Sequence, residues 1–127
     1  MVSSTFDPDS FKMAQREGWD SVAAGWKEWW VTIEKGAQKL SQRLIELAEI
    51  KPGQRVLDIA TGIGEPSITA AKVVGKGGHV LATDISRQML ANAKERATSL
   101  RLQDIIEFRE TDAENLDLAN SSFDAAL

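Results

Sequence analysis

The stretch VLDIATGIGEP, residues 56–66, carries the clearest structural signal in the sequence. A short segment rich in β-prone residues leads directly into a turn that contains Gly62 and Gly64. Because glycine lacks a Cβ atom, these two positions let the backbone turn tightly and let a ligand lie against it. Pro66 then suits the first turn of a helix, where its missing N–H costs nothing. The stretch therefore predicts a strand, a tight turn and a helix in direct succession.

The segments that follow keep alternating between strand and helix patterns. The predicted strands are residues 55–59, 79–83, 105–110 and 123–127. The helices between them are residues 66–74, ended by three glycines, and a helix that Ser86 caps and that carries Met89, Leu90, Ala93 and Ala97. Such alternation implies parallel strands joined by right-handed crossovers. The fold class is therefore α/β, a doubly wound Rossmann-like parallel sheet, with the polar third strand at one edge.

The first fifty residues predict helices instead. We expect one or two helices from Asp9 to about Glu34, then an amphipathic helix over residues 36–50 that Lys51, Pro52 and Gly53 end. The residues at helical spacing are Val22, Trp26, Trp29 and Ile33, followed by Ala37, Leu40, Leu44, Leu47 and Ala48. We therefore divide the chain into an N-terminal helical segment, 1–50, and a partial Rossmann-like domain, 51–127.

Composition narrows the possible partners. The net charge of −4 and the lack of a Lys/Arg cluster argue against nucleic acid. The chain has no cysteine, so it has no thiolate metal site, and we expect no metal; His79, the only histidine, is expected to be structural or exposed. No apolar run approaches the roughly 20 residues of a membrane span. No secretory signal is visible, so we expect a cytoplasmic protein.

The glycine turn also indicates which ligand fits. In doubly wound sheets, ligands bind beyond the carboxyl ends of the strands, so the first strand–helix turn is the place to look. A dinucleotide fingerprint would need Gly or Ala where this chain has Ser67. Glu65 would put a negative charge near a pyrophosphate, and no Gly-Lys-Ser/Thr follows as in a phosphate-binding P-loop. The turn thus favours an adenosyl group without phosphates.

Residues 56–64 resemble the first motif of class I S-adenosylmethionine-dependent methyltransferases, and the resemblance extends over about residues 20–127. Ala60 stands where that family usually has its first glycine. Asp84 ends the second strand, where the family's carboxylate accepts hydrogen bonds from both ribose hydroxyls. Ile85 and Met89 resemble positions that flank the adenine, and the segment 111–114 resembles the one whose Asp accepts from the adenine amino group. The nearest group is the ubiquinone/menaquinone-biosynthesis-like small-molecule methyltransferases.

The resemblance implies S-adenosyl-L-methionine as cofactor, S-adenosyl-L-homocysteine as product and a small-molecule methyl acceptor. It assigns no catalytic base. The implied cofactor-binding residues are Asp58, Ala60, Thr61, Gly62, Gly64, Asp84, Ile85, Met89, Asp112, Ala113 and Glu114.

Several of these residues also have a purely structural interpretation. Asp58 could cap the following turn instead of holding the methionine end of the cofactor. Asp84 could simply cap the next helix, and Asp112 could be a surface acid. The tryptophans suggest a cage for a substrate, but their helical spacing favours packing; they are Trp19, Trp26, Trp29 and Trp30.

The resemblance also implies a longer sheet than the four strands predicted here. The fourth strand would then be an apolar edge that can pair with another chain, so we expect a homo-oligomer. The simplest form is a dimer joined across exposed strand or helix-face surface. The expected function is the cofactor-binding part of a small-molecule methyltransferase. The alternative is a non-catalytic adenosyl-binding or oligomerising domain; half of an NAD-dependent oxidoreductase is a third possibility, against which Ser67 argues.

Overall fold

The structure is a computed structural model that describes residues 6–127. Residues 1–5 of the expected N-terminal segment lie outside this range. The described elements are α1 (Pro8–Leu47), β1 (Arg55–Ile59), α2 (Ser67–Val74), β2 (His79–Asp84), α3 (Arg87–Ser99), β3 (Ile106–Glu110) and β4 (Ala125–Ala126), with a 3₁₀ turn at Gly75–Gly77. The alternation of strands and helices after residue 50 confirms the predicted α/β class.

The four strands form one parallel sheet in the order β3-β2-β1-β4. Strand order reverses at β1, since β2 lies on one side of it and β4 on the other. The predicted edge position of β3 is confirmed. β4 is shorter than the predicted 123–127, although hydrogen bonds from the Asp124 and Leu127 amides continue its pairing with β1.

The core lies where α2 and α3 pack on the sheet. Its centre is fully buried and consists of branched aliphatic residues of β1, β2 and α2, namely Val56, Val80, Ile68 and Val74. Ile45 at the end of α1 and Ile50 just after it join the same cluster. β2 is buried from Val80 to Asp84, as expected for an inner parallel strand.

From residue 6 onward the N-terminal segment contains one helix, and the prediction of two or three helices was wrong. α1 runs for 40 residues through Gly18, Gly25 and Gly36. Nothing lies within 4 Å of a Cβ placed at any of the three, so no neighbouring element interrupts the helix there. Glycine weakens a helix by only about 0.5–1 kcal/mol relative to alanine, which the other residues of a long helix can offset.

The predicted apolar face of α1 is not its buried face. Val22, Trp29, Leu40, Leu44 and Leu47 are all exposed, Leu47 to 64%. The buried positions are instead Ala23, Ser41 and Ile45. Small side chains allow α1 to approach α3 and the glycine turn closely, and this packing against a neighbour overrides hydrophobic periodicity.

None of the described helices is long and apolar enough to cross a membrane.

Candidate functional site

A cavity of about 660 Å³ opens at the carboxyl ends of β1, β2 and β3. Its volume lies within the range of small-molecule sites, roughly 300–1,000 Å³. The loops after the three strands form one wall, and α1 forms the other. The cavity therefore sits beside the point where strand order reverses, as the sequence predicted.

The two glycines of the turn after β1 have different structural roles. Gly62 has φ +58°, and a Cβ placed there would meet nothing within 4 Å, so its backbone is open to the cavity. Gly64 has φ +102°, and its Cβ would lie 3.2 Å from the Ala93 Cβ and from the Ile68 Cδ1. Gly62 thus leaves room for a ligand, whereas Gly64 lets the turn pack against α2 and α3.

Ala60 adopts φ +61°, the left-handed conformation that favours glycine. This conformation explains why the resembled family usually has glycine at this position, and alanine tolerates it at a modest energetic cost. Ala60 and Thr61 both line the cavity.

Asp84 joins the two turns that follow β1 and β2. Its Oδ2 accepts a hydrogen bond from the Gly62 amide at 2.8 Å, and its Oδ1 accepts one from the Ser86 amide at 2.9 Å. Its residue surface is only 9% exposed, yet it lines the cavity. Each carboxylate oxygen can accept more than one hydrogen bond, so Asp84 can hold the turn and a ligand hydroxyl together.

Asp58 does not line the cavity. Its Oδ2 accepts hydrogen bonds from the Ser67 amide at 3.0 Å and from the Ser67 hydroxyl at 2.6 Å. Burial raises the pKa of the Asp58 carboxyl above its ordinary value. In this geometry Asp58 caps the start of α2, which was the structural alternative that the sequence left open.

The loop after β3 carries Asp112, Ala113 and Glu114 along the cavity. Lys12 of α1 reaches across and places its Nζ 2.8 Å from the Asp112 Oδ2 and 2.6 Å from the Glu114 Oε2. The hydrogen bond from Lys12 is the main cause that lowers the pKa of Asp112 below its ordinary value. Asp112 is therefore a charged acceptor at the cavity wall.

α1 contributes aromatic side chains to the cavity, which its helical periodicity did not predict. Trp19, Trp26 and Trp30 line it, and the packing role that the sequence favoured is wrong for Trp19 and Trp26, which are 45% and 36% exposed. Trp29 is 61% exposed and does not line the cavity. Trp30 packs against a small cluster made of Ala23, Ile63 and Met89. Helical spacing placed these residues on α1 correctly but could not reveal which element they would face.

Glu65 brings a negative charge to the same cavity. Its Oε2 accepts a hydrogen bond from the Thr69 hydroxyl at 2.7 Å, and its Oε1 lies 3.8 Å from the Arg96 Nη2. The Glu65 Oε1 and the Arg96 Nη2 are both buried, and within residues 6–127 neither has a hydrogen-bond partner. A carboxylate in this wall disfavours a pyrophosphate, in agreement with the sequence argument.

Nine of the eleven residues proposed as cofactor-binding line the cavity together, namely Ala60, Thr61, Gly62, Asp84, Ile85, Met89, Asp112, Ala113 and Glu114. Asp58 and Gly64 support the turn from behind. Among the described residues, no group of three His, Asp or Glu side chains could hold a metal ion.

Comparison with known proteins gives the family. Residues 56–127, more than half of the chain, match the model of a methyltransferase domain. The chain belongs to the class I S-adenosylmethionine-dependent methyltransferase family, and the resemblance that the sequence motifs carried is confirmed.

Two curated relatives extend this match. The chain is 36% identical over 94 residues to a demethylmenaquinone methyltransferase of Desulfitobacterium hafniense. This alignment covers 74% of this chain and 36% of that protein. It is 34% identical over 119 residues to a ubiquinone/menaquinone biosynthesis C-methyltransferase of Ectopseudomonas mendocina, which covers 92% of this chain and 46% of that protein. The chain thus spans less than half the length of these two relatives.

A solved structure supports the fold and the cofactor. An RNA methyltransferase from Salinibacter ruber in complex with S-adenosyl-L-homocysteine matches with a TM-score of 0.57 and 25% identity. The match covers 62% of this chain and 50% of that one. The cofactor expected from the motifs, S-adenosylmethionine, agrees with these comparisons.

Proposed function

We propose that this chain binds S-adenosyl-L-methionine in the cavity at the carboxyl ends of β1–β3 and takes part in methyl transfer to a small-molecule acceptor. One observation carries the proposal. The open backbone of Gly62 and the carboxylate of Asp84 face the same cavity and are joined by a 2.8 Å hydrogen bond. A ligand that lies on the turn would therefore have a charged acceptor beside it.

The proposed roles follow from the position of each residue. Asp84 accepts hydrogen bonds from the ribose hydroxyls, and Ile85 and Met89 form an apolar wall for the adenine. Asp112 accepts from the adenine amino group, with Ala113 and Glu114 beside it. Gly62, Ala60 and Thr61 leave the backbone of the turn open to the methionine end.

When bound, the sulfonium supplies an activated methyl group. The residues of the chain would then contribute mainly by holding the two reactants in line, which can lower a barrier by several kcal/mol. The cavity fits such a ligand because it is large, mostly apolar and polar only at a few points. We assign no catalytic base.

We propose a small molecule as the acceptor. The two curated relatives carry names that refer to quinone biosynthesis, and the net charge of −4 disfavours a polyanion. Tryptophans at the cavity suit a planar apolar acceptor. The similarity to an RNA methyltransferase makes RNA the competitor to test.

The test uses S-adenosylmethionine with a labelled methyl group, offered with a demethylated quinol or with transfer RNA. Label recovered in the quinol fraction is the expected result. Label recovered in RNA would contradict the proposed acceptor. A variant with Asp84→Ala controls for adventitious transfer and should show none.

The alternative function is a non-catalytic adenosyl-binding domain. It predicts binding of S-adenosylhomocysteine with no transfer to any acceptor, by this chain and by any longer form of it. Tight binding of NAD in place of S-adenosylhomocysteine would instead favour the oxidoreductase hypothesis, against which Glu65 argues.

We also propose that the chain forms a homodimer through the exposed apolar face of α1, which consists of Val22, Trp29, Leu40, Leu44 and Leu47. These residues recur at helical spacing over about 37 Å of one continuous helix. A second copy can cover the same face through a two-fold axis. Light scattering should give a dimer mass for the wild type and a monomer for Leu40→Glu/Leu47→Glu, and a monomeric wild type at high concentration would contradict the proposal.

Two further expectations remain predictions. Cell fractionation checks the cytoplasmic location. The division at residue 50 is checked by whether residues 51–127 unfold cooperatively when expressed alone, although Ile45 and Ile50 pack in the same cluster as Val56.

A further inference from the structure

Three polar residues of α1 lie one above another on the helix face that meets the cavity loops. Lys12, Arg16 and Asp20 are spaced four residues apart, so they share one face of the helix. Each contacts a loop at the carboxyl edge of the sheet. None of the three belongs to the motifs that identify the family.

The contacts of this stripe divide between two loops. Arg16 donates a hydrogen bond from its Nε to the Ile85 carbonyl at 3.2 Å. Asp20 accepts hydrogen bonds through its Oδ1 from the Ser86 hydroxyl at 2.5 Å and from the Gln88 amide at 3.0 Å. Both therefore fix the loop that follows β2, where the adenosyl group is proposed to lie.

Lys12 is the only member of the stripe that reaches the other loop, the one after β3. Its Nζ lies between the Asp112 and Glu114 carboxylates at 2.8 and 2.6 Å, and its side chain is 29% exposed. Lys12 also lines the cavity. Since α1 is anchored on the first loop by Arg16 and Asp20, the Lys12 contacts join the helix to the second loop across the cavity.

We propose that Lys12 is a positioning residue for the adenosyl end of the site: its ion pairs with Asp112 and Glu114 hold the loop after β3 against α1 and must open for the nucleoside to enter or leave. This inference rests on the proposed function. Lys12 acts through Asp112, whose ionised form it favours, and not on the reacting atoms.

The proposal predicts an effect on exchange rates. Opening the ion pairs precedes both entry and exit, so removing them speeds both steps. Half-exposed ion pairs contribute modestly and are screened by salt. The same rates in the wild type should therefore rise with ionic strength.

Stopped-flow fluorescence with S-adenosylhomocysteine tests the inference, because Trp19 and Trp26 line the cavity and report its occupancy. Lys12→Met should raise the dissociation rate about threefold to tenfold and remove its salt dependence. Lys12→Arg, which keeps the charge, should restore slow, salt-dependent exchange. Lys39→Met, an exposed lysine further along α1, should leave both rates unchanged.

The outcomes separate the inference from the proposed function. A wild type that binds S-adenosylhomocysteine while Lys12→Met leaves the dissociation rate within twofold would overturn the role of Lys12 and leave the site intact. A folded wild type that does not bind would overturn the proposed function and this inference with it. A circular dichroism spectrum that matches the wild type shows that Lys12→Met still folds, and Glu114→Gln supplies a second variant that should also speed exchange.

Discussion

The two glycines of the turn after β1 differ in what surrounds them. Both have positive φ, but only the Cβ of a Gly64 substitution would meet neighbours, at 3.2 Å. Stability and ligand binding should therefore respond to different glycines.

We predict that Gly64→Ala lowers the free energy of unfolding by about 2–4 kcal/mol, because it adds crowding in the core to a strained backbone. Gly62→Ala should lower it by only about 1–2 kcal/mol, the strain of the left-handed conformation, yet weaken S-adenosylhomocysteine binding at least tenfold by filling the ligand's side of the turn. Urea unfolding and calorimetry measure the two effects. Equal losses of stability would contradict the distinction.

Asp58 offers a test at a single carboxyl group. Burial raises the pKa of this acid, so the fold favours its protonated form. The stabilisation that comes from this raised pKa is complete below the ordinary pKa of an aspartic acid. It is lost as the pH rises through the raised pKa of the folded state. Asp58→Asn keeps an acceptor for Ser67 without the charge.

We therefore expect Asp58→Asn to gain stability relative to the wild type as the pH rises from 4 to 8. Asp58→Ala should instead lose about 1–3 kcal/mol throughout, since it strands the buried Ser67 amide and hydroxyl. Urea unfolding across that pH range gives both differences. If the wild type instead gains stability relative to Asp58→Asn as the pH rises, the hydrogen bonds affect the pKa of Asp58 more than its burial does.

α1 is the element that sequence reasoning described least well. α1 is continuous through three glycines at which an added Cβ would meet no neighbour. Each glycine therefore destabilises the helix only through its low helix propensity. We predict that Gly18→Ala, Gly25→Ala and Gly36→Ala each raise the free energy of unfolding by about 0.5–1 kcal/mol. Gly75→Ala, at φ +64°, is the control and should lower it. A loss of stability at Gly25 would indicate a break in the helix there.

The strands and the helices after residue 50 could be predicted because their signals are local. Hydrophobic periodicity, the Ser86 cap and the glycine turn locate each element to within a few residues. The parallel arrangement of the strands follows from the alternation of strands and helices along the chain. The face of α1 could not be predicted, because Ser41 is buried and Leu40 exposed by what the helix meets in space. The same limit hid Lys12, whose partners are about a hundred residues away in sequence.

The site could be predicted in part for the same reason. Nine of the residues taken from the motifs do lie together, since the carboxyl ends of neighbouring parallel strands meet at one edge. Asp58 belongs to the motif but caps α2 from behind it. A motif therefore does not tell which of its residues line the cavity.

In the molecule as a whole, α1 and the loops at the carboxyl edge of the sheet line the 660 Å³ cavity together. The loops supply polar contacts, and the helix supplies aromatic surface and the Lys12 ion pairs. We propose that this cavity is an adenosyl site built around Asp84.

Calorimetric titration with S-adenosylhomocysteine, with Asp84→Ala beside the exposed control Asp104→Ala, tests this proposal. We expect the wild type and Asp104→Ala to bind one ligand per chain with equal affinity. Asp84→Ala should lose roughly 1.5–3 kcal/mol of binding free energy or more, because the ribose loses a charged acceptor and the turn loses its brace. Binding by Asp84→Ala as tight as that of the wild type, or no binding by a folded wild type, would contradict it.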